Sequence, residues 1–499
     1  MRIATLVGMP RHELPPARRR IVGSTCPAVA GSQSRTGRAG LGFVLVAALA
    51  LSACGSQEPS SEGSTAPGPA SAAASDGASV ANPSESSARA GDGAAGERSA
   101  ELLPDEQTRA AAEDAVPEMT LEEKAGQVIL ATWDGADAAS VDAQITQIED
   151  LHLGGVIVMG ANVPTAAGQG TTEQDGAGGG ASDVDVEAMR SQNERVGAAL
   201  SPEERSWSGI IAVDQEGGSV ARLGEPLTVW PSAQTVGAAD DPELTREAAA
   251  GMGAELTGLG FTMDHAPVAD VTTPSDAVIR DRAYSDDPEV VSEQAAAAVG
   301  GLTDAGMISS PKHFPGHGSV STDSHVGLPV QEASLETLAE SEWLPFQAVI
   351  DAGAPSIMMG HIAVSQWSAE VPATLEPKAY QALREDLGFQ GAVVTDALDM
   401  GALKDVVGPG RPVDTGVSTP AGAALQAGAD LLVMPEDEAA AHADIVQAVE
   451  SGAIPQQRLD EAAARVVAMQ MSYDQHRDSA PVQPAEPGSH RDLAARFEG

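Results

Sequence analysis

One stretch of the chain concentrates side chains that can hold a charge or move a proton. It reads Lys312-His313-Phe314-Pro315-Gly316-His317-Gly318, followed by Asp323-Ser324-His325. A strand ending in Lys-His aims a cation and a ring N–H out of its end, and the Pro-Gly and His-Gly turns begin a loop that can return over the same place. Asp323, two residues before His325, can accept a hydrogen bond from one ring nitrogen, fixing the tautomer and raising the basicity of the other. The pair reads as an acid/base device in a loop. Further on, Gly391-Ala392-Val393-Val394-Thr395-Asp396 is an apolar run ending in a carboxylate. Such a group is costly at a buried strand end unless donors stabilise it, and Lys312 and Arg282 are the expected donors. In Val213-Asp214-Gln215-Glu216-Gly217-Gly218, Asp214 ends another strand and the two glycines permit a tight exit turn.

The elements that must position these groups are legible as apolar runs separated by Ala- and Glu-rich helical stretches. The candidate strands are Gly126 to Leu130, Gly154 to Gly160, Ile210 to Gln215, Phe261 to Val268, Met307 to Phe314, Ser356 to Ile362, Gly391 to Asp396 and Leu431 to Pro435. Helical candidates such as Pro242 to Leu259, Pro288 to Ala305, Ser334 to Ala352 and Pro377 to Leu387 fall between them, each with a start signal. Strand and helix in alternation imply a parallel α/β sheet, open or closed. Asp214, Asp264, His265, Lys312, His313, His361 and Asp396 lie at or near the C-terminal ends of five different strands. That matches a single (β/α)8 TIM-type barrel, whereas an open sheet gathers its ligand groups at one switch point.

The body is expected over residues 111–475. Residues 1–53 read as a lipoprotein signal region: Arg35 and Arg38, an apolar run from Leu41 to Leu51, and Leu51-Ser52-Ala53-Cys54, in which Cys54 would carry the lipid. The run is too short for a comfortable membrane span. Residues 54–110, rich in Ser, Ala and Gly, read as a disordered tether, Thr165 to Asp183 as a long inserted loop, and 476–499 as a polar C-terminal tail. The expected location is the outer face of the cytoplasmic membrane, held there by lipid.

Composition narrows the chemistry. The 499 residues carry 28 Lys and Arg against 72 Asp and Glu, a formal charge of −44, which repels phosphate backbones and favours a neutral partner over nucleic acid. The two cysteines, Cys26 and Cys54, precede the body, so no disulfide framework or cysteine metal site is expected in it. His313, His317, Asp323 and His325 could ligate a metal, but two of them flank a Pro-Gly turn and the spacing is unlike a ligand set, so neither metal nor organic cofactor is expected. A tethered solute-binding protein is the non-enzymatic alternative; it would need two lobes and no acid/base pair. Other readings are structural. Asp270 is a turn or cap candidate, His265 a core histidine paired with Asp264, and Glu216 and Asp399 supports for their loops; His361 is read as pocket floor.

Taken together, these segments resemble glycoside hydrolase family 3, in its single-barrel β-N-acetylglucosaminidase branch, from about Leu121 to Met471. The resemblance is carried by Asp-Gln-Glu-Gly-Gly at Asp214, Ala-Pro-Val-Ala-Asp at Ala266, Asp-Arg-Ala-Tyr containing Arg282, the Lys312 to His325 segment, and Thr-Asp-Ala-Leu-Asp-Met-Gly at Thr395. It implies a retaining glycosidase acting on a carbohydrate that contains N-acetylglucosamine, with a monomer as the default state. Asp396 would be the nucleophile and His325, supported by Asp323, the acid/base. Asp214, Arg222, Arg282, Lys312 and His313 would hold the terminal sugar. Ser219, where Arg is common, and Arg280, where Gly is common, depart from the pattern at the pocket edge. A β-glucosidase, a phosphorylase using phosphate in place of water, and a non-catalytic sugar binder are the related alternatives.

Overall fold

The computed structural model describes residues 101–165, 183–203, 205–273, 278–479 and 483–497. The expected signal region, Cys54, all of the expected tether before residue 101, and residues 166–182 of the insertion lie outside the described residues. None of the helices searched among them is long and apolar enough to cross a membrane.

Eight short parallel strands carry the architecture: β1 (Ile129–Ala131), β2 (Gly155–Val158), β3 (Ile210–Val213), β4 (Met263–Asp264), β5 (Ile308–Ser309), β6 (Ser356–Met359), β7 (Ala392–Thr395) and β8 (Leu432–Val433). Six pair in the order β8-β1-β2-β3-β4-β5, and β7 pairs with β6 in the register Ala392↔Ser356 to Thr395↔Met359. Backbone bonds tie this pair to the larger ladder at both edges. Thr395 N donates to Leu431 O at 2.9 Å on one side, and Met358 N donates to Pro311 O at 2.9 Å on the other. The result is an α/β fold with a curled parallel sheet.

A helix follows each strand, and local chemistry sets where several begin. Pro242–Thr257, Pro288–Asp304 and Pro420–Ala427 each open on a proline preceded by a capping side chain, Asp241, Asp287 and Thr419 respectively. The fixed φ of proline and its missing N–H suit the first helical position, while the cap satisfies a free backbone donor. The expected strand from Gly126 is shorter than its apolar run, because Gly126 and Gln127 end the helix Leu121–Gln127, whose Thr120 and Glu123 form a capping box.

Two boundaries differ from expectation. The tether was expected to reach residue 110, yet Asp105 caps a helix over Glu106–Ala115 and Leu102 is fully buried with Val466 and Met469. Composition misses this because the partners, including Gln475, which accepts from Thr108 Oγ1 at 3.0 Å, are distant in sequence. The residues expected as a polar tail also pack: the helix Gln456–Ser479 runs past residue 476, the His490 ring stacks on Trp230, and His490 Nδ1 meets Glu255 Oε1 at 3.0 Å. Ala494 and Phe497 join the main apolar core beside these contacts, two side chains too few to stand out in the hydropathy of a polar segment.

Candidate active site

Side chains alternate along each strand and sort into two populations. Leu130, Ile157, Ile210, Ala212, Met263, Ile308, Val394 and Val433 form one buried cluster, and Ile129, Val156, Val158, Ile211, Val213, Val393 and Leu432 belong to the other, with helix residues such as Val196 and Ile445. The first set therefore faces the interior of the curled sheet. At a period of two, Asp214 follows Ala212 and Asp396 follows Val394. Both open into a cavity of about 560 Å³ at the C-terminal ends of the strands, lined also by Arg222, Arg282, Lys312, His313 and His325. The structure thus brings together every sugar-binding and catalytic candidate except Asp323, which reaches the pocket through His325.

The charges are held in pairs. Lys312 Nζ lies 2.7 Å from both Asp214 Oδ1 and Glu216 Oε1. Arg222 Nη2 reaches Asp214 Oδ2 at 3.3 Å, and Arg282 grips Glu216 with two contacts of 2.8 Å. Burial would raise both carboxylates, but these cations dominate: Lys312 and Arg222 hold Asp214 well below the usual carboxylate range, and Arg282 and Lys312 bring Glu216 down to about 2. Glu216 is thus a partner to two cations as well as a support for its loop. Arg222 keeps Nε and Nη1 buried and without a hydrogen-bond partner among the described residues, two donors available to a substrate oxygen.

Asp270, expected as a turn or cap residue, organises the far wall. Its Oδ2 accepts from His313 Nδ1 at 2.7 Å, and its Oδ1 accepts from His313 N at 3.2 Å and His317 N at 2.7 Å. The Arg282 guanidinium, 3.4 Å from His313 Nε2, fits the same tautomer, with the proton on Nδ1. His317 lines the cavity and places Nε2 3.1 Å from Ser324 Oγ, one residue before the loop histidine. His313 turns to Asp270 and His325 to Asp323.

At the nucleophile candidate, Asp396 Oδ1 accepts from Ala397 N at 2.8 Å. Burial would raise its pKa, but the imidazoles of His361, His313 and His325 with that N–H bring it down to about 2. The expected donors Lys312 and Arg282 are committed to Asp214 and Glu216, so Asp396 is stabilised by imidazoles instead. His361 lies behind the pocket rather than on its floor. It is fully buried, with Nε2 donating to Ala397 O at 2.7 Å and Nδ1 2.6 Å from Thr374 Oγ1, so it fixes the peptide after the nucleophile candidate.

The loop that carries the candidate acid/base His325 is docked on the loop that follows Asp396. Asp323 Oδ1 accepts from His325 N at 2.9 Å and from Nδ1 at 2.8 Å, which leaves Nε2 as the working nitrogen. Gly401 N and Ala402 N donate to the carbonyls of His325 and Ser324, and a Cβ on Gly401 would stand 2.5 Å from His325 O. Only glycine allows that approach. Arg280, two residues before the cavity-lining Arg282, has φ +28°, a conformation that favours glycine, in line with glycine being common there in the pattern noted above.

A pocket that pairs its charges and keeps hydrogen-bond donors free suits a polyol, and a carboxylate facing an acid/base is what cleavage of a glycosidic bond requires. Fold and site together define a glycoside hydrolase. Residues 120–469 match the Glycosyl hydrolase family 3 N terminal domain, and the chain belongs to that family. Among curated relatives it is 34% identical over 318 residues to Beta-hexosaminidase A of Pseudoalteromonas piscicida, covering 58% of this chain and 52% of that one, so it spans about half that relative's length. It is 31% identical over 352 residues to Beta-hexosaminidase LpqI of Mycobacterium tuberculosis, covering 68% and 80% of the two chains. The structure of a family 3 β-N-acetylglucosaminidase from Paenibacillus sp. str. FPU-7 superposes with a TM-score of 0.65 at 30% identity, covering 76% of this chain and 68% of that one.

Proposed function

We propose that this chain is a retaining exo-β-N-acetylglucosaminidase that removes terminal β-linked N-acetylglucosamine from peptidoglycan-derived or other glycans. In this reading the curled sheet closes as a (β/α)8 barrel, and the protein is a monomer tethered by lipid on Cys54 at the outer face of the cytoplasmic membrane. The observation that carries the chemistry is the pairing of an anionic Asp396 with the Asp323–His325 dyad at one cavity. The relatives named β-hexosaminidase and β-N-acetylglucosaminidase support the acetamido sugar.

Asp396 Oδ attacks the anomeric carbon while protonated His325 gives its Nε2 proton to the departing oxygen, so the C–O bond to the aglycone breaks as the glycosyl-aspartate ester forms. Neutral His325 then takes a proton from water, which attacks the same carbon and releases Asp396 as the anion. Two inversions retain the β configuration. Asp323 holds Nδ1–H throughout. Asp214 and Arg222 take sugar hydroxyls, with Lys312 and Arg282 keeping the carboxylates ionised.

The test is nitrophenol release from the β-N-acetylglucosaminide and the β-glucoside, with and without phosphate, by wild-type protein and Asp396→Asn. Hydrolysis of the first substrate, abolished in the variant with sugar binding kept, supports the reading. Absence of turnover with intact sugar binding in the wild type returns the protein to a binding role.

A further inference from the structure

The inward layer that supplies Asp214 and Asp396 contains one more polar ring. His265 follows Met263 at a period of two, so it faces the same interior as the apolar cluster below it. Strand register places it between neighbours. Val213 pairs with Asp264, which sets Asp214 beside His265, and Asp264 pairs with Ser309, which sets Ser310 on the other side. His265 lines the catalytic cavity and is 0% exposed. Neither Nδ1 nor Nε2 has a hydrogen-bond partner among the described residues, and the buried Ser310 Oγ likewise has none. The expected partner Asp264 does not serve: its Oδ1 accepts from Gln215 N at 2.9 Å and its Oδ2 has no partner.

Buried polar groups are nearly always paired, and an orphan facing a binding cavity marks what that cavity is built to take. Burial brings the ring's pKa down to about 4, so near neutral pH it offers one N–H donor and one acceptor nitrogen. A sugar hydroxyl is the complementary group. It donates its proton to the Asp214 carboxylate and accepts on its oxygen, and the adjacent imidazole is the donor placed to meet that oxygen. We propose that His265 is a substrate-binding residue that takes one hydroxyl of the saccharide held between Asp214 and Asp396, directly or through one water on Ser310 Oγ. This rests on the glycosidase reading above and adds a specificity determinant to it.

The experiment uses the full chain as wild type, His265→Phe and His265→Gln. Substrates are the nitrophenyl β-N-acetylglucosaminide and its 3-, 4- and 6-deoxy analogues. Phe keeps the shape of the ring and removes both nitrogens, so kcat/KM on the parent should fall about 10- to 100-fold, as for a hydrogen bond lost from a buried site. One deoxy analogue should be turned over equally by wild type and His265→Phe, while the other two keep the gap. Gln should recover part of the loss, and the thermal midpoint of His265→Phe should equal or exceed that of wild type. Equal kcat/KM on all four substrates overturns the proposal. So does an equal loss on all four with a lowered midpoint, which marks a structural role. Failure of the wild type on every substrate removes the glycosidase reading instead, and calorimetric titration of N-acetylglucosamine then decides His265: weaker binding by His265→Phe supports its role and unchanged binding overturns it.

Discussion

Asp323→Asn separates the two halves of the proposed cycle. In the wild type, Asp323 accepts His325 Nδ1–H at 2.8 Å and so leaves Nε2 free to lose and regain a proton. An asparagine amide can present N–H to Nδ1 instead, which puts the ring proton on Nε2, the wrong tautomer for a base. A hydrogen bond to a charged group contributes about 1.5–3 kcal/mol. The two side chains are 31% and 35% exposed, so solvent screening favours the lower part of that range. A loss of ~1.5–2 kcal/mol corresponds to roughly 10- to 30-fold in rate. With a nitrophenyl leaving group, which needs little protonation, the loss should fall on the step that uses His325 as base. The assay is stopped-flow nitrophenol release. The expected record is a burst followed by a slow phase, with kcat reduced roughly 10- to 30-fold, kcat/KM reduced less than about threefold, and kcat restored by azide, an anion that attacks without a base. Parallel loss of kcat and kcat/KM, with no burst and no effect of azide, would refute the reasoning and make the dyad a binding element.

Three further outcomes follow from the packing. Glu216 titrates at about 2 in the folded chain against 4.5 as a free side chain, so its stabilisation is present above about pH 4.5 and is lost as pH falls toward 2; the thermal midpoint of Glu216→Gln should depend less on pH across that window than that of wild type. Asp430, fully buried and within 3.1 Å of Arg384, Arg458 and Arg465, is remote from the cavity lining, so Asp430→Asn should lower unfolding free energy by about 3–5 kcal/mol in denaturant titration while kcat of the folded enzyme is unchanged. Gly401→Ala should displace the His325 loop and reduce kcat/KM about 100-fold with a near-native thermal midpoint, since a misplacement of about 1 Å is enough for such a loss.

How far sequence reaches here depends on how far apart the interacting residues lie along the chain. The Asp323–His325 dyad is separated by two residues, and its geometry is legible because a local turn alone brings the groups together. The strand ends that carry Asp214 and Asp396 are legible for a similar reason, since an apolar run closed by one carboxylate needs no distant partner to be seen. The partnerships that set the electrostatics are long-range. Lys312 meets Asp214 across 98 positions and His313 meets Asp270 across 43, and no periodicity encodes either pairing. Hence the two errors of assignment at the centre of the site share one cause. Lys312 and Arg282 suit Asp396 by residue type and Asp270 suits a cap, but only the curled sheet decides which strand ends face each other.

The same dependence explains why the pocket gathers three cations in a chain of formal charge −44. Sequence counts charges along the backbone, where 72 acids outnumber 28 bases over the whole chain. The fold gathers three of the few cations, Arg222, Arg282 and Lys312, at one cavity, where they stand among Asp214, Glu216 and Asp396, with Asp134 and Asp399 also on the lining. A cation placed there offsets the burial penalty of a carboxylate far more effectively than one at the surface, where solvent screens it. The local pairing of charges, rather than the overall charge, therefore governs what the pocket admits. A hydroxyl-rich, uncharged sugar meets fixed donors and acceptors without having to displace a counter-ion. Removing one carboxylate of the set, as in Glu216→Gln, leaves Arg282 and Lys312 less compensated and should raise affinity for anions such as phosphate. Inhibition of nitrophenol release by phosphate, compared between wild type and Glu216→Gln, measures that shift directly, and an unchanged inhibition constant would mean that the net charge of the pocket does not control ligand choice.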